Sequence, residues 1–436
     1  MTFLFYQMPK QSNRIKLILF LTVFTDMMGF SLLFPLFPKT ISHFLEKGND
    51  PIFSIFYTWS LWLGEGSDSK YTMVLFGGIL GSIYSFLQFL SAPIWGKLSD
   101  SLGRKFVLIF TTIGSVLGYT LWLFSSHFWM FVLSRIITGV MGGNISVASA
   151  AMADHTDEKS RAGGMGMIGA GIGLGFVMGP LLGGISSTFT FFDSFYEDGT
   201  FVIFPASALF AMIVALLNLL MILVFLPETK VNIAKSKVIH PILNLKKIHS
   251  KTLVRLCLLN LLFLLSFSGL EFVINFYLSE GFSFTPKSIG LSFLYMGTII
   301  ILVQGGVVRK LTGVITEKRM VEYGTLGVFI GFLFLILGEG IMNVFIALFF
   351  LSAGASLVNP GLSSFASIVS GPSDQGMTLG LFRSFGSLAR AVSPIMFSIV
   401  YFQKGPKFTF LLSLLILLVF WYFLHRTKDK PESHPL

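Results

Sequence analysis

Twelve apolar runs follow one another along the chain, and each is close to the length that a helix needs to cross a bilayer. A helix of roughly 20 residues spans about 30 Å of hydrocarbon. Short segments with charged and turn-forming residues separate the runs. The runs are residues 15–38, 72–95, 106–124, 128–152, 163–189, 201–226, 253–279, 288–307, 321–337, 342–370, 377–400 and 408–425.

The runs do not alternate between apolar and polar positions, as the strands of a membrane barrel do. LLSLLILLVF at residues 411–420, for example, has no period of two. Helices and closed barrels are the only structures that satisfy the backbone within hydrocarbon. The pattern therefore predicts an all-α membrane protein with 12 transmembrane helices, whose first helix is its own insertion signal.

The charged residues agree with this prediction. Only 12% of the chain is charged, although its net charge is +10. If the N-terminus is inside, 21 of the 31 Lys and Arg residues are on the inside, counting Lys16 at the inner end of the first run, and 6 fall in outside segments. This asymmetry is the positive-inside rule, with both termini cytoplasmic. It accounts for the basic balance without a nucleic acid partner.

A repeat divides the chain into two halves. Residues 227–252 form a Lys-rich segment, which we interpret as a cytoplasmic linker between six-helix bundles at residues 1–226 and 253–436, the second with a short cytoplasmic tail. Gly96 and Gly103 recur as Gly306 and Gly313, and Pro180 recurs as Pro394. Two similar bundles can rock about a midplane cavity, as in many transporters. The long outer segment 39–71 is expected to be an ordered interfacial cap.

The segment GKLSDSLGRK, residues 96–105, is a polar loop between two apolar runs. Gly96 and Gly103 permit a turn or a close approach at the two helix ends. Asp100 can pair with a cation or face a helix N-terminus, whereas Arg104 and Lys105 can anchor the next helix among the inner headgroups.

The longer stretch GKLSDSLGRKFVL resembles the signature of the major facilitator superfamily. The resemblance implies the major facilitator fold of two pseudo-symmetric six-helix bundles. It also implies that Asp100 and Arg104 lock an inner gate, with Gly96 and Gly103 as their geometric supports. In the second half, GVVRKLTGVITEKR has Lys310 where the counterpart of Asp100 is expected.

Other segments extend the resemblance. SRIITGVMGG is similar to a motif of the fourth helix, carried here by Arg135 and Gly139, and GLGFVMGPLLGG is similar to a fifth-helix motif of antiporters. TDMMGFSLLFPLFP resembles the first helix of the drug/proton antiporters, the branch that includes tetracycline exporters and tetracycline-transporter-like proteins. No histidine lies in the interior of a predicted helix, so a coupling histidine is not expected. The fifth-helix motif residues are Gly175, Gly179, Pro180, Gly183 and Gly184.

Ionisable residues within membrane helices are costly and are therefore functional candidates. We expect two acid/base sets at similar depth, Asp26 with Arg135 and Glu271 with Arg390, facing a central cavity. Movement of the cation relative to the carboxylate would then switch proton uptake and release. Static ion pairs between helices are the alternative. Arg383, one heptad before Arg390, either snorkels or admits an anionic substrate.

Five amides within the predicted helices are possible polar contacts in a cavity, and helix–helix contacts are the alternative for each. They are Gln88, Asn144, Asn275, Gln304 and Asn359.

These observations predict a secondary transporter, most simply a proton-coupled antiporter that exports an amphipathic organic compound or drug by alternating access. A proton-linked importer of an organic anion or nutrient, and a lipid flippase, are the alternatives. The chain has no Walker-type phosphate loop and no midmembrane cluster suited to catalysis, so we expect no enzyme, no cofactor and no metal. The expected partners are a small organic substrate, protons and the lipid bilayer. A monomer in a bacterial inner membrane is expected.

Overall fold

The computed structural model describes residues 8–47, 50–63, 72–156, 158–189, 204–229, 251–311, 314–369 and 371–427. Within these ranges, twelve helical segments are long and apolar enough to cross a membrane, which confirms the predicted number and the all-α class. The helices are α1 Met8–Ser31, α2 Phe37–Lys47, α3 Pro51–Leu63, α4 Thr72–Leu102, α5 Arg104–Leu123, α6 Phe128–Met141, α7 Asn144–His155, α8 Glu158–Ser186, α9 Pro205–Phe225, α10 Lys251–Phe282, α11 Pro286–Leu302, α12 Arg309–Leu311, α13 Glu317–Leu337, α14 Ile341–Val369, α15 Gly371–Lys404 and α16 Pro406–His425.

Three of the spans are not single regular helices. The first joins α1 to α2 through a 3₁₀ turn, and the eighth continues α11 as a π-helix at Val303–Val308. The apolar run 128–152 predicts one helix, but α6 ends before Gly142 and α7 begins after Gly143. A side chain at Gly143 would collide with the ring of Trp95, so the break lets α4 approach closely.

The packing divides the chain into two compact units. The first unit combines Met1–Leu36 with Phe86–Ile239, and the second combines Phe37–Ser85 with His240–Leu436. The predicted bundle boundaries at residues 226 and 253 differ from this division and remain a prediction.

The first unit is built around the packing of α1 against α8, with α5 against α6 and α9. Glycines on α8 make the first of these contacts close, because a Cβ atom at Gly175 would lie only 3.0 Å from the backbone nitrogen of Met28. Helices in membranes approach each other closely through such small residues.

The second unit pairs α13 with α14 and α10 with α15 and α16. It also holds α2, α3 and the first part of α4. Phe37 of α2 packs edge-on against Phe272 of α10, with ring centroids 6.3 Å apart. A Cβ atom at Gly78 of α4 would lie 2.7 Å from the carbonyl oxygen of Pro394 in α15. Glycine on α4 therefore permits contact with α15.

Candidate functional site

Asp26 lies in α1 at the centre of a buried polar group in the first unit. Its side chain is 6% exposed, and its carboxylate accepts hydrogen bonds from Gln88 Nε2 at 3.3 Å and Asn144 Nδ2 at 3.4 Å. Asn144 Oδ1 in turn accepts a hydrogen bond from Thr111 Oγ1 at 2.5 Å. The structure thus brings together three of the predicted residues, and Asn144 reaches Asp26 because α7 begins at that residue after the glycine break.

A small polar cavity, with room for roughly one water molecule, adjoins this carboxylate. Hydroxyl and amide groups from α1, α5, α7 and α9 line it, and Thr22 and Asn218 join α1 to α9 by a hydrogen bond of 3.1 Å. Most of the lining was not predicted from the sequence, although Asn218 was a visible signal as an amide within an apolar run. The lining residues are Thr22, Thr25, Asp26, Thr112, Ser115, Tyr119, Asn144, Ala215 and Asn218.

Arg135 of α6 is buried among aromatic rings of the same unit. Its guanidinium carbon lies 4.8 Å from the ring centroid of Trp122, 5.5 Å from that of Phe131 and 5.9 Å from that of Tyr119. Cations are attracted to the faces of such rings, most strongly where water is excluded. Tyr119 also lines the cavity beside Asp26, so one ring adjoins both charged groups. The direct Asp26–Arg135 pair remains a prediction.

The segment predicted as a gate loop is helical in the structure except at Gly103, because α4 continues to Leu102 and α5 begins at Arg104. Arg104 is the centre of an ion-pair network there. Its buried guanidinium bonds to Asp100 at 2.7 Å and to Asp154 at 2.9 Å. It also donates hydrogen bonds to Ser99 Oγ at 2.6 Å and to the carbonyl of Gly96 at 3.4 Å. Asp100, Gly96 and Arg104 are therefore in contact, and their role in an inner gate stays a prediction.

Glu228, just beyond α9, caps the N-terminus of α5. Its two carboxylate oxygens accept hydrogen bonds from the backbone nitrogens of Arg104, at 2.8 Å, and Lys105, at 3.1 Å. Gly103 has φ 97°, in the region that favours glycine, and a Cβ atom there would collide with the Glu228 carboxylate. Sequence reasoning missed Asp154 and Glu228, although both are acidic residues next to predicted helices on the same side of the membrane.

The second unit repeats part of this arrangement. In the first unit, Lys105 Nζ donates to the carbonyl of Leu223 at the end of α9, at 3.0 Å. In the second, Lys318 Nζ donates to the carbonyls of His425 and Thr427 at the end of α16, at 3.3 and 2.8 Å. Lysines 213 residues apart thus bind the ends of the sixth and twelfth spans.

In the second unit, the described residues at the positions that correspond to Arg104 and Asp154 are joined by a hydrogen bond. Ser364 donates a hydrogen bond of 3.4 Å to Glu317 and lies 210 residues after Asp154. The predicted counterpart residues fall elsewhere: Lys310 is exposed in α12, Gly306 has open space around it, and Gly313 lies outside the described residues.

Glu271, Arg383 and Arg390 are half-buried residues of the second unit, on α10 and α15. Arg390 interacts electrostatically with Glu271 and with Arg383, so one acid and two cations share a region. Asn260, which sequence reasoning missed, ties α10 to α15 here through a 2.8 Å hydrogen bond to the carbonyl of Phe382.

The remaining predicted amides lie apart from Asp26. Asn275 is buried and donates to the backbone carbonyls of Glu271 and Phe272, at 2.7 and 3.0 Å. Gln304 is exposed in the π-helical segment, and Asn359 is half-buried in α14 before Pro360. Their part in a cavity remains a prediction.

The predicted fifth-helix motif lies along the face of α8 that contacts α1. A Cβ atom at Gly179 would lie 2.6 Å from the carbonyl oxygen of Met28, and one at Gly183 would collide with the carbonyl of Leu32. Gly184 and Pro180 are buried as well. The glycines therefore permit direct contact between two helix backbones, as the small-residue pattern predicts.

We expect Gly183→Ala to lower the free energy of unfolding by about 1–3 kcal/mol, because the added methyl group forces α8 away from α1. Chemical unfolding of the purified protein in detergent micelles measures the change. Gly173→Ala in the same helix is the matched control, since a Cβ atom there meets nothing within 4 Å. A Gly183→Ala protein as stable as the Gly173→Ala protein would contradict the close contact.

Comparison with known proteins agrees with this architecture. The family model described as Major Facilitator Superfamily matches residues 19–394. Human major facilitator superfamily domain-containing protein 10 is 31% identical over 93% of this chain and 91% of its own length. The class H tetracycline resistance protein of Pasteurella multocida is 26% identical, over 97% of this chain and 98% of its own.

A solved structure, that of the human organic anion transporter MFSD10 (TETRAN), is also similar. It superposes with a TM-score of 0.76 at 30% sequence identity, covering 95% of this chain and 99% of the other. Family and fold are those of transporters rather than enzymes. With twelve membrane-spanning segments, the loop motif and a matching family model, this chain belongs to the Major Facilitator Superfamily of membrane transporters.

Proposed function

We propose that the protein is a proton-coupled antiporter that exports an amphipathic organic compound by alternating access, with Asp26 as the proton-binding group. The observation that carries the proposal is a buried carboxylate within a membrane span, bonded to two neutral amides and next to a polar cavity. Intramembrane carboxylates of this kind are typical of proton relays in transporters. The nearby Arg135 and Tyr119 supply a cation and a hydroxyl that respond to movement of α6 and α5.

We assign gating to the ion-pair network around Arg104. Arg104 joins the end of α4 to α5 and α7 through Asp100 and Asp154, so a change at this end of α4 moves three helices together. These charges lie at the end of the first unit that the distribution of Lys and Arg places in the cytoplasm. In this orientation both termini are cytoplasmic. The protein is also proposed to act as a monomer. The bacterial inner membrane remains a prediction, because the relatives come from mammals as well as bacteria.

Within this proposal, the substrate is an organic anion. Arg390 interacts with both Glu271 and Arg383, so two guanidinium groups lie in one half-buried region of the second unit. A guanidinium group binds a carboxylate through two parallel hydrogen bonds. The similar human protein is described as an organic anion transporter, which supports the same substrate class.

The test is transport by purified protein in liposomes with an imposed pH gradient. Amphipathic anions, cations and zwitterions are offered in turn while a dye reports internal pH. We expect anion movement accompanied by an opposite proton flux. Substrate movement along with protons would favour an importer, and movement of labelled lipid independent of the gradient would favour a flippase.

We expect Arg390→Gln to raise the concentration of anion needed for half-maximal transport by about tenfold, the effect of losing roughly 1.4 kcal/mol of binding. Transport of a neutral compound of the same size should change little. Arg319→Gln is the matched control, because Arg319 is an exposed cation of the same unit. Equal effects of the two substitutions would contradict anion binding at Arg390.

A further inference from the structure

Helix α3, Pro51–Leu63, stands between the first two membrane spans and contains no charged residue. Its sequence, PIFSIFYTWSLWL, is rich in aromatic side chains. At 13 residues it is about 20 Å long, which is too short to cross the hydrocarbon core. Uncharged helices of this length are buried in protein or lie at the membrane interface.

One side of α3 packs against α2 and α4, and these contacts indicate its depth relative to the membrane. Phe53 and Phe56 are buried, and the ring centroid of Phe53 lies 4.8 Å from that of Phe76 in α4 and 5.7 Å from that of Phe44 in α2. The apolar span of α4 begins at Val74, two residues before Phe76. At the helical rise, Phe76 is roughly 3 Å inside the span. Helix α3 therefore lies at the level where α4 enters the membrane.

The opposite side of α3 is exposed and apolar. Ile55, Trp59 and Trp62 follow one another at helical spacing and are 46%, 54% and 78% exposed. Ser54 and Thr58 are also exposed on this side, but their hydroxyls are hydrogen-bonded to the helix backbone: Ser54 Oγ donates to the carbonyl of Asp50 at 3.0 Å and Thr58 Oγ1 to that of Ser54 at 2.8 Å. The surface therefore presents hydrocarbon and two indole rings.

The carboxylate of Asp50, just before α3, is also hydrogen-bonded to the helix. Asp50 Oδ1 accepts hydrogen bonds from the backbone nitrogens of Ile52, at 2.9 Å, and Phe53, at 3.1 Å, as an N-terminal cap does. No charge on the described helix opposes contact with lipid.

We propose that α3 is an interfacial helix whose Ile55, Trp59 and Trp62 side lies in the bilayer, at the boundary between headgroups and acyl chains. Tryptophan suits this layer because its ring is apolar and its N–H donates to the polar side. A helix bound this way has its apolar face within 5–10 Å of the headgroup boundary, as is general for such helices. Contact with the lipid leaflet would thereby hold α3, which connects the first two spans, at the membrane interface.

The test uses nitroxide spin labels in reconstituted protein. Cys257 is the one cysteine and is buried, so it is replaced by Cys257→Ala before Trp59→Cys or Trp62→Cys is labelled. Leu217→Cys, exposed within the span of α9, is the hydrocarbon reference, and Val314→Cys, exposed between helices, is the water reference. We expect values between the two references: more collisions with oxygen than at residue 314 but fewer than at residue 217, and fewer collisions with a water-soluble nickel complex than at residue 314.

Three results would overturn the proposal. Frequent nickel collisions, as at residue 314, place the surface in water. Few collisions with either reagent, together with line broadening that disappears when labelled protein is diluted with unlabelled protein, identify a second copy as the occupant. Few collisions without broadening show that the chain covers its own surface.

A second measurement needs no cysteine. Tryptophan emission of the otherwise unaltered protein is recorded in liposomes with lipids brominated near the headgroup. The quenched fraction of the emission should fall in the Trp59→Phe, Trp62→Phe double variant but not in Trp122→Phe, because Trp122 is buried and contributes emission that lipid does not quench. Equal quenching in the double variant and the parent protein would contradict lipid contact.

Discussion

Asp26→Asn is expected to lower substrate accumulation driven by a pH gradient by at least about tenfold. The reason is that an ionisable group inside the membrane is costly and marks a functional position. Asparagine has nearly the same shape and retains a carbonyl oxygen that can accept from Gln88 or Asn144. The variant should therefore fold, but it cannot bind and release a proton at this position. Labelled substrate and an internal pH dye in liposomes measure the two fluxes together.

Exchange of substrate at equal pH on both sides should persist in the Asp26→Asn protein, since this movement needs no net proton transfer. Asp50→Asn supplies the matched control. Asp50 undergoes the same chemical change outside the spans, and asparagine also caps helix N-termini. If Asp26→Asn retained full gradient-driven transport, the assignment of Asp26 as the proton-binding group would be wrong.

Arg104→Ala is expected to lower the free energy of unfolding by about 2–3 kcal/mol, the range for losing hydrogen bonds to a charged group that is partly buried. The guanidinium is buried and is shared by Asp100 and Asp154, so its removal takes away a cation from both carboxylates. Because each carboxylate side chain is about a third exposed, water reduces the loss below that of a fully buried ion pair.

Unfolding of purified protein in detergent micelles, followed by circular dichroism, measures this change. Lys97→Ala is the comparison, because it removes a cation from the same end of α4 without touching the network, and its effect should be within about 0.5 kcal/mol. Similar losses for the two variants would mean that the positive charge in general, rather than the Arg104 contacts, stabilises this end of the first unit.

Much of the architecture depends on the local sequence and could therefore be predicted. An apolar run of sufficient length specifies a membrane span by itself, so the number and order of the spans could be read from the chain. The glycine spacing in α8 predicted a close helix contact, and Gly175, Gly179 and Gly183 make it with α1. The break between α6 and α7 was missed, because two glycines within an apolar run do not by themselves end a helix.

The candidate site was only partly predictable. Asp26 could be identified because a carboxylate within an apolar run is costly, and Arg104 because of its loop motif. Their partners were harder to find, since Asn144 lies 118 residues after Asp26, and Glu228 lies 124 residues after Arg104. The expected pairing of Arg135 with Asp26 stays a prediction. The aromatic rings around its guanidinium, and Tyr119 beside both groups, were not foreseen from the sequence.

The sequence by itself therefore determined the membrane class, the twelve spans, the loop motif and the identity of the charged residues within the spans. Only the tertiary structure decided which side chains meet at Asp26, at Arg104 and on the exposed side of α3. The physical reason is that helices in lipid are apolar on most faces. Their periodicity then carries little information about rotation or neighbours, which interhelical packing and hydrogen bonding decide.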